Sequence, residues 1–165
     1  MYQNTKIIKK ILFVFFGMLT FFLCACNAES PSQPLEIQLP SPSELFYEIE
    51  NTVSLHEMID LPHDLFFDYY GINPEWFYDA AAYTCVDIMF PDEIIIVRAK
   101  GQNEANLVRE MLDSHIDFKI RSAANYFVET VPVIENGIIR QDGLTVSLIV
   151  SDELQAILAI FDSYS

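Results

Sequence analysis

Hydrophobic and polar residues follow two different periods along the chain, and the change of period separates predicted helices from predicted strands. Over residues 81–90 and 94–99 apolar residues recur with a period near two, which predicts two strands. The segment 91–93 between them, Pro-Asp-Glu, predicts a tight turn. These residues therefore predict a β-hairpin.

A helical period follows, and a second hairpin comes after it. Asn103 is a suitable N-cap for a long helix that we expect to end near Asn125. Residues 131–139 and 144–150 predict two further strands, because Asp142-Gly143 between them is a strong turn signal. A last helix is expected after the second hairpin, since apolar residues recur there at helical spacing.

The N-terminal part of the domain predicts shorter helices. Ser43 is a candidate N-cap for a helix that runs toward Met58, and Asn73 is a candidate N-cap for a short helix that ends near Ala80. Together the elements predict an α+β fold with a four-stranded, mainly antiparallel sheet in the order hairpin-helix-hairpin-helix. We expect the helices to pack on one face of this sheet, with one or two helices preceding it.

The first 25 residues have the three parts of an export signal. Three lysines and no acid precede the apolar run 11–23, and Ala25 stands directly before Cys26. The run is shorter than the roughly 20 residues that a membrane-spanning helix needs, which disfavours an uncleaved anchor; a signal peptide without lipid is a further alternative. The sequence therefore predicts a lipoprotein signal peptide over 1–25 and lipidation of Cys26.

The predicted organisation after cleavage is a tethered domain. Residues 26–42 comprise the acylated cysteine and a proline-rich tether, and residues 43–165 form a single domain. This predicts a protein held in the cell membrane by its N-terminal lipid, on the extracytoplasmic face.

Charge narrows the range of partners. Removal of residues 1–25 takes three of the nine basic residues and none of the 24 acidic ones, so the net charge of the mature chain becomes −18. Phosphate backbones would be repelled by such a chain, which excludes nucleic acid as an expected partner. An envelope protein or an extracellular ligand is expected instead.

Candidate chemistry is sparse. The segment His56-Glu57-Met58-Ile59-Asp60 departs by one residue from the zinc-protease helix pattern, and His63 is nearby as a further ligand. Pro62 would break the helix, so a solvated helix end is the favoured interpretation. Cys85 lies in an alternating stretch that predicts a buried strand thiol. No catalytic residue, metal site or cofactor is predicted, because phosphate-binding loops, dinucleotide glycine patterns and Cys-x-x-Cys pairs are absent from the sequence.

An aromatic segment precedes the first predicted strand. It has seven aromatic residues between positions 65 and 78, for which core packing is favoured over contact with a protein or a glycan. These residues are Phe66, Phe67, Tyr69, Tyr70, Trp76, Phe77 and Tyr78.

Several short motifs, in their order and spacing, resemble one family. They are Tyr70-Gly71-Ile72, Asp92-Glu93-Ile94, Asn125-Tyr126, Gly143 and Val150-Ser151-Asp152. With these motifs the chain resembles the bacterial lipoproteins classed as domain of unknown function 4358, from about Leu61 to the C-terminus. The resemblance implies export as a lipoprotein and implies no activity.

The favoured function is a membrane-anchored, non-enzymatic binding or interaction module. Its candidate partner-binding residues are Tyr70, Trp76, Asp92, Glu93 and Tyr126. The alternative is an envelope hydrolase or metal-dependent enzyme that uses His56, Asp60 and His63.

Overall fold

A computed structural model describes residues 39–164, and all of them belong to one compact unit. The predicted signal peptide, Cys26 and most of the predicted tether lie outside the described residues. None of the helices within 39–164 has the length and apolar character needed to cross a membrane.

The predicted α+β class is confirmed, but the sheet has five strands and not four. All neighbouring strands are antiparallel, in the order β1-β2-β3-β5-β4. The strands are β1 (Met58–Asp60), β2 (Phe77–Cys85), β3 (Glu93–Ala99), β4 (Ile138–Asp142) and β5 (Thr145–Val150). The additional strand β1 pairs with the end of β2. Its three residues are too few for an alternating pattern to reveal a strand.

Five α-helices are present in the described part of the chain. They are α1 (Pro42–Thr52), α2 (Phe66–Tyr70), α3 (Gln102–Tyr126), α4 (Val131–Glu135) and α5 (Leu154–Asp162). Short 3₁₀ helices span His63–Leu65, Pro74–Trp76 and Val128–Thr130.

The prediction that helices pack on one face of the sheet is wrong, because they cover both faces. In β3, Ile95 and Val97 contact the cluster that includes α2, α3 and α4, whereas Ile94 and Ile96 contact the cluster formed with α1 and α5. Successive side chains of a strand point to opposite faces, so a continuous apolar run is what a strand buried on both faces requires.

The two hairpins are present, with different boundaries. β2 begins at Phe77, within the stretch predicted as a helix to Ala80, and ends at Cys85. A seven-residue loop, 86–92, then replaces the predicted tight turn, and we call it the β2–β3 loop. In the second hairpin, 131–135 is the helix α4 and not strand, because a short apolar run suits either structure and local pattern does not distinguish them.

Helix starts also differ from the prediction. The N-cap of α1 is Ser41 and not Ser43, and its side chain forms a reciprocal capping box with Glu44. The N-cap position of α3 is Gly101 and not Asn103. Asn73 does accept a hydrogen bond from the Glu75 N–H at 2.9 Å, but it begins a 3₁₀ turn and not an α-helix.

Candidate functional site

Two consecutive carboxylates, at the end of the β2–β3 loop and the start of β3, are buried, and Glu93 lies in a strand and not in the predicted turn. Asp92 is 2% exposed and Glu93 is 4% exposed. Glu93 belongs to β3, and the Asp92 carbonyl accepts a hydrogen bond from the Cys85 N–H at 3.0 Å. A buried carboxylate requires partners, and each of the two has a histidine.

Glu93 is surrounded by three donors. Its Oε2 accepts hydrogen bonds from His115 Nε2 at 2.9 Å and from Lys119 Nζ at 3.0 Å. Its Oε1 accepts a longer bond from the Tyr70 hydroxyl at 3.3 Å. We call these four residues the Glu93 cluster.

The Glu93 carboxylate is stabilised in its ionised form. Burial acts to raise the pKa of Glu93, but the His115 hydrogen bond and the Lys119 charge outweigh burial and lower the pKa to about 2. Burial also raises the pKa of Tyr70, and the neighbouring Glu93 charge raises it further, so Tyr70 acts only as a neutral donor.

Helix α3 supplies two of the donors because of its spacing. Val108 and Leu112 are fully buried on the inner side of α3, and His115 and Lys119 continue that side toward the C-terminus. His115 and Lys119 are four positions apart on the helix, so both side chains reach the same carboxylate. The His115 ring also packs edge-on against Tyr70, with ring centroids 4.9 Å apart.

Asp92 has its own histidine on the other side of the strand. His56 Nδ1 lies 2.7 Å from Asp92 Oδ2, and since a carboxylate only accepts, Nδ1 carries the proton. The His56 ring stacks on Phe90, with centroids 3.6 Å apart. The two histidines therefore hold the end of the β2–β3 loop from both sides.

A pocket of about 250 Å³ lies next to the Glu93 cluster. It is formed by the end of β2, the β2–β3 loop, the C-terminal part of α3 and the segment that follows α3. Its lining residues are Thr84, Cys85, Ile88, Phe90, Pro91, Lys119, Ser122, Ala123, Tyr126, Phe127, Thr130 and Ile134. Lys119 belongs to both the pocket and the Glu93 cluster.

The rim of the pocket is apolar and exposed. The lining residues Ile88, Phe90 and Tyr126 are exposed, Tyr126 to 78%, and so are Met89 and Val128 beside them in sequence. Single exposed apolar residues are common on proteins, but several around one concavity indicate a contact surface. We call the three lining residues Ile88, Phe90 and Tyr126 the apolar rim.

The structure divides the candidate partner-binding residues into three groups. Tyr70, Asp92 and Glu93 are buried and are not among the residues that line the pocket, and Tyr70 and Glu93 contact each other. Tyr126 is exposed at the pocket itself. Trp76 is partly buried against the core. Its carbonyl accepts a hydrogen bond from the backbone N–H of Lys100, which follows the C-terminal end of β3.

The aromatic segment is likewise divided. Phe66, Tyr70 and Phe77 belong to the core, as the favoured interpretation predicts. Phe67, Tyr69 and Tyr78 are exposed, so the core interpretation is wrong for them.

The three residues of the enzymatic alternative have separate surroundings. His56 binds Asp92, His63 contacts the Ala80 carbonyl through Nε2, and Asp60 is exposed on the edge strand β1. His56 does not lie on a helix, since α1 ends at Thr52. Within residues 39–164, no group of three or more His, Cys, Asp or Glu side chains could hold a metal ion.

Cys85 is a buried strand residue, as predicted. It ends β2 and forms part of the pocket wall. Burial raises the pKa of the Cys85 thiol, so the thiol is neutral at ordinary pH.

His115, Lys119 and the pocket were not predicted from the sequence. The sequence did contain a usable signal for His115 and Lys119, because both are polar residues on the same side of the helix as Val108 and Leu112. Polar groups on a buried helix face need a partner, and a buried acid elsewhere in the chain is the natural one.

A family model matches more than half of the chain. The model of the family described as "Domain of unknown function (DUF4358)" matches residues 51–151. The match begins ten residues before Leu61, where the resemblance was expected to start, and ends at Ser151. No curated protein and no solved structure shows significant similarity to the chain.

Proposed function

The chain belongs to the family of domain of unknown function DUF4358, and from this premise we propose that it is a lipid-anchored, extracytoplasmic binding module without catalytic activity. Its partner is an envelope protein or an extracellular ligand. The binding site is the pocket beside the Glu93 cluster together with the apolar rim.

The observation that carries this proposal is that buried hydrogen bonds fix the start of β3 next to a pocket whose exposed lining residues are apolar. Glu93 and Asp92 are each fixed by a histidine, so the start of β3 and the end of the β2–β3 loop are held in place. Exposed Ile88, Phe90 and Tyr126 then line an open concavity. A preorganised apolar site binds with less loss of conformational freedom than a mobile one.

The predicted anchor supports the assignment of the pocket as the binding end. The Arg98 guanidinium donates hydrogen bonds to the carbonyls of Leu39 and Pro40, at 2.8 and 2.6 Å. Arg98 and Glu93 are five residues apart in β3, which corresponds to about 17 Å. A tether that enters beside Arg98 therefore leaves the pocket end of the sheet free for a partner.

Site-specific photocrosslinking in intact cells tests the binding site. A photoreactive residue replaces Tyr126, and a control replaces Tyr47, another exposed tyrosine, on α1. We expect a discrete adduct from position 126 that position 47 does not give. The same adducts from both positions, or none from position 126, would contradict the proposed site.

Metabolic labelling with a fatty-acid analogue tests the anchor. We expect Cys26→Ala to lose the label and Cys24→Ala to keep it, because Ala25 suits the position before the modified cysteine and Leu23 is too bulky for it. Label retained by Cys26→Ala would show that the predicted lipidation site is wrong.

A further inference from the structure

The charged residue that lines the pocket has the opposite sign to the net charge of the chain. The sequence has 24 acidic and nine basic residues. Among the residues that line the pocket, however, Lys119 is the one charged residue, and none is acidic. A lining that contains a lysine and no acidic side chain favours a neutral or negatively charged occupant.

Lys119 has donor capacity beyond its ion pair. An ammonium group has three N–H donors, and one of them is directed to Glu93 Oε2. Glu93 already accepts from Tyr70 and His115 as well, so its charge is distributed over three donors. At the pocket wall, burial and the charges of Asp92 and Asp87 raise the pKa of Cys85, and the charge of Lys119 acts to lower it by a smaller amount.

The remaining lining is apolar, with few polar groups. Thr84 and Ser122 add hydroxyls, whereas the Thr130 hydroxyl is already bonded to the Phe127 carbonyl at 2.8 Å. The volume of about 250 Å³ is below the roughly 300–1,000 Å³ of pockets for drug-sized ligands. The pocket therefore suits a group about the size of one aromatic side chain.

We propose that this pocket binds a single carboxylate carried on a small apolar body, with Lys119 as its charged partner and Phe90, Phe127 and Ile134 around the apolar part. This inference rests on the proposed function and names the ligand class for the same site. A single negative charge matches one lysine, whereas a phosphate prefers several donors or an arginine fork. A free small acid and the C-terminal carboxylate of a partner chain with an apolar last residue share this chemistry.

Amide NMR titration of the purified full chain tests the ligand class. The probes are phenylbutyrate and its uncharged analogue phenylbutyramide, and N-acetyl-leucyl-phenylalanine and its C-terminal amide. We expect both acids to shift the signals of pocket residues with a Kd on the order of 1 mM, the strength usual for such small probes. Each amide should bind about tenfold more weakly or worse, because a neutral oxygen replaces the ionised carboxylate as the partner of the Lys119 ammonium.

Two pairs of variants connect the binding to the pocket. Lys119→Met should reduce the affinity of the acids to that of the amides, and Lys100→Met, an exposed lysine outside the pocket, should not change it. Ser122→Phe should block all probes from a surface position. Its control is Ser114→Phe, which changes the same residue type on the exposed side of α3.

The outcomes separate this inference from the proposed function. Tighter binding of the peptide acid than of phenylbutyrate assigns the site to a chain terminus, and the reverse assigns it to a free acid; both support the inference. Equal affinity for acid and amide overturns it, and so does the absence of any pocket shift with either acid at about 10 mM. If the adduct from position 126 still forms in the Lys119→Met variant, the proposed binding site is retained and the proposed carboxylate ligand is rejected.

Discussion

Replacement of Glu93 by Gln should destabilise the protein by an amount that depends on pH. The pKa of Glu93 is about 2, against a reference value of 4.5. A difference of about 2.5 pH units corresponds to about 3 kcal/mol of stability from ionised Glu93, since one unit is about 1.4 kcal/mol. This agrees in size with the cost of about 3–5 kcal/mol for breaking a buried ion pair.

The sign follows from the lowered pKa. A carboxyl whose pKa is lower in the folded state stabilises the fold above its unfolded pKa, and the stabilisation is lost as pH falls toward the folded pKa. The contribution of Glu93 is therefore complete above about pH 5 and falls to about 1 kcal/mol near pH 2.5. Glu93→Gln does not titrate, so the stability difference between the two proteins should shrink over the same range.

Urea denaturation at about pH 7, pH 4 and pH 2.5 measures this difference. Other carboxylates titrate in both proteins, so their contributions cancel. Glu110→Gln, an exposed glutamate on α3, is the control and should stay within about 0.5 kcal/mol of the wild type at each pH. A difference for Glu93→Gln that does not change with pH, or a variant as stable as wild type at pH 7, would refute the role assigned to the Glu93 cluster.

Two further predictions compare neighbouring or equivalent residues by urea denaturation at neutral pH. Phe66→Ala should lose about 3–5 kcal/mol because Phe66 is fully buried, whereas Phe67→Ala, at 59% exposure, should lose less than about 1 kcal/mol; equal losses would contradict the division of the aromatic segment. Gly71→Ala should cost more than Gly143→Ala, although both have positive φ, because a Cβ at Gly71 would lie 3.1 Å from Met111 Sδ and one at Gly143 meets nothing within 4 Å. Equal costs would show that Met111 moves aside freely.

Features set by neighbouring residues were predictable from the sequence. Gly143 in the second hairpin has a φ of +60°, and Gly71 ends α2 in the left-handed conformation. In both cases the residue itself favours the local backbone, so distant contacts are not needed to infer it. The α+β class follows equally from the alternation of helical and strand periods along the chain.

Features that depend on what covers a segment were predicted less well. Residues 131–135 have the apolar character of a strand, yet they form α4, where Ile134 packs into the core beside α3. The run in β3 was predicted as a strand, but the number of layers around it was not. An apolar run shows that a segment is buried and does not show on how many sides.

The sequence alone determined the class of the fold, the turns with their glycines and the membership of the DUF4358 family. Only the tertiary structure decided the site. Glu93 lies 22 and 26 positions from His115 and Lys119, and the packing of α3 on the sheet brings them together. The motif Asp92-Glu93 has the composition of a solvated turn, and its burial becomes favourable only when donors from a distant helix compensate the lost water.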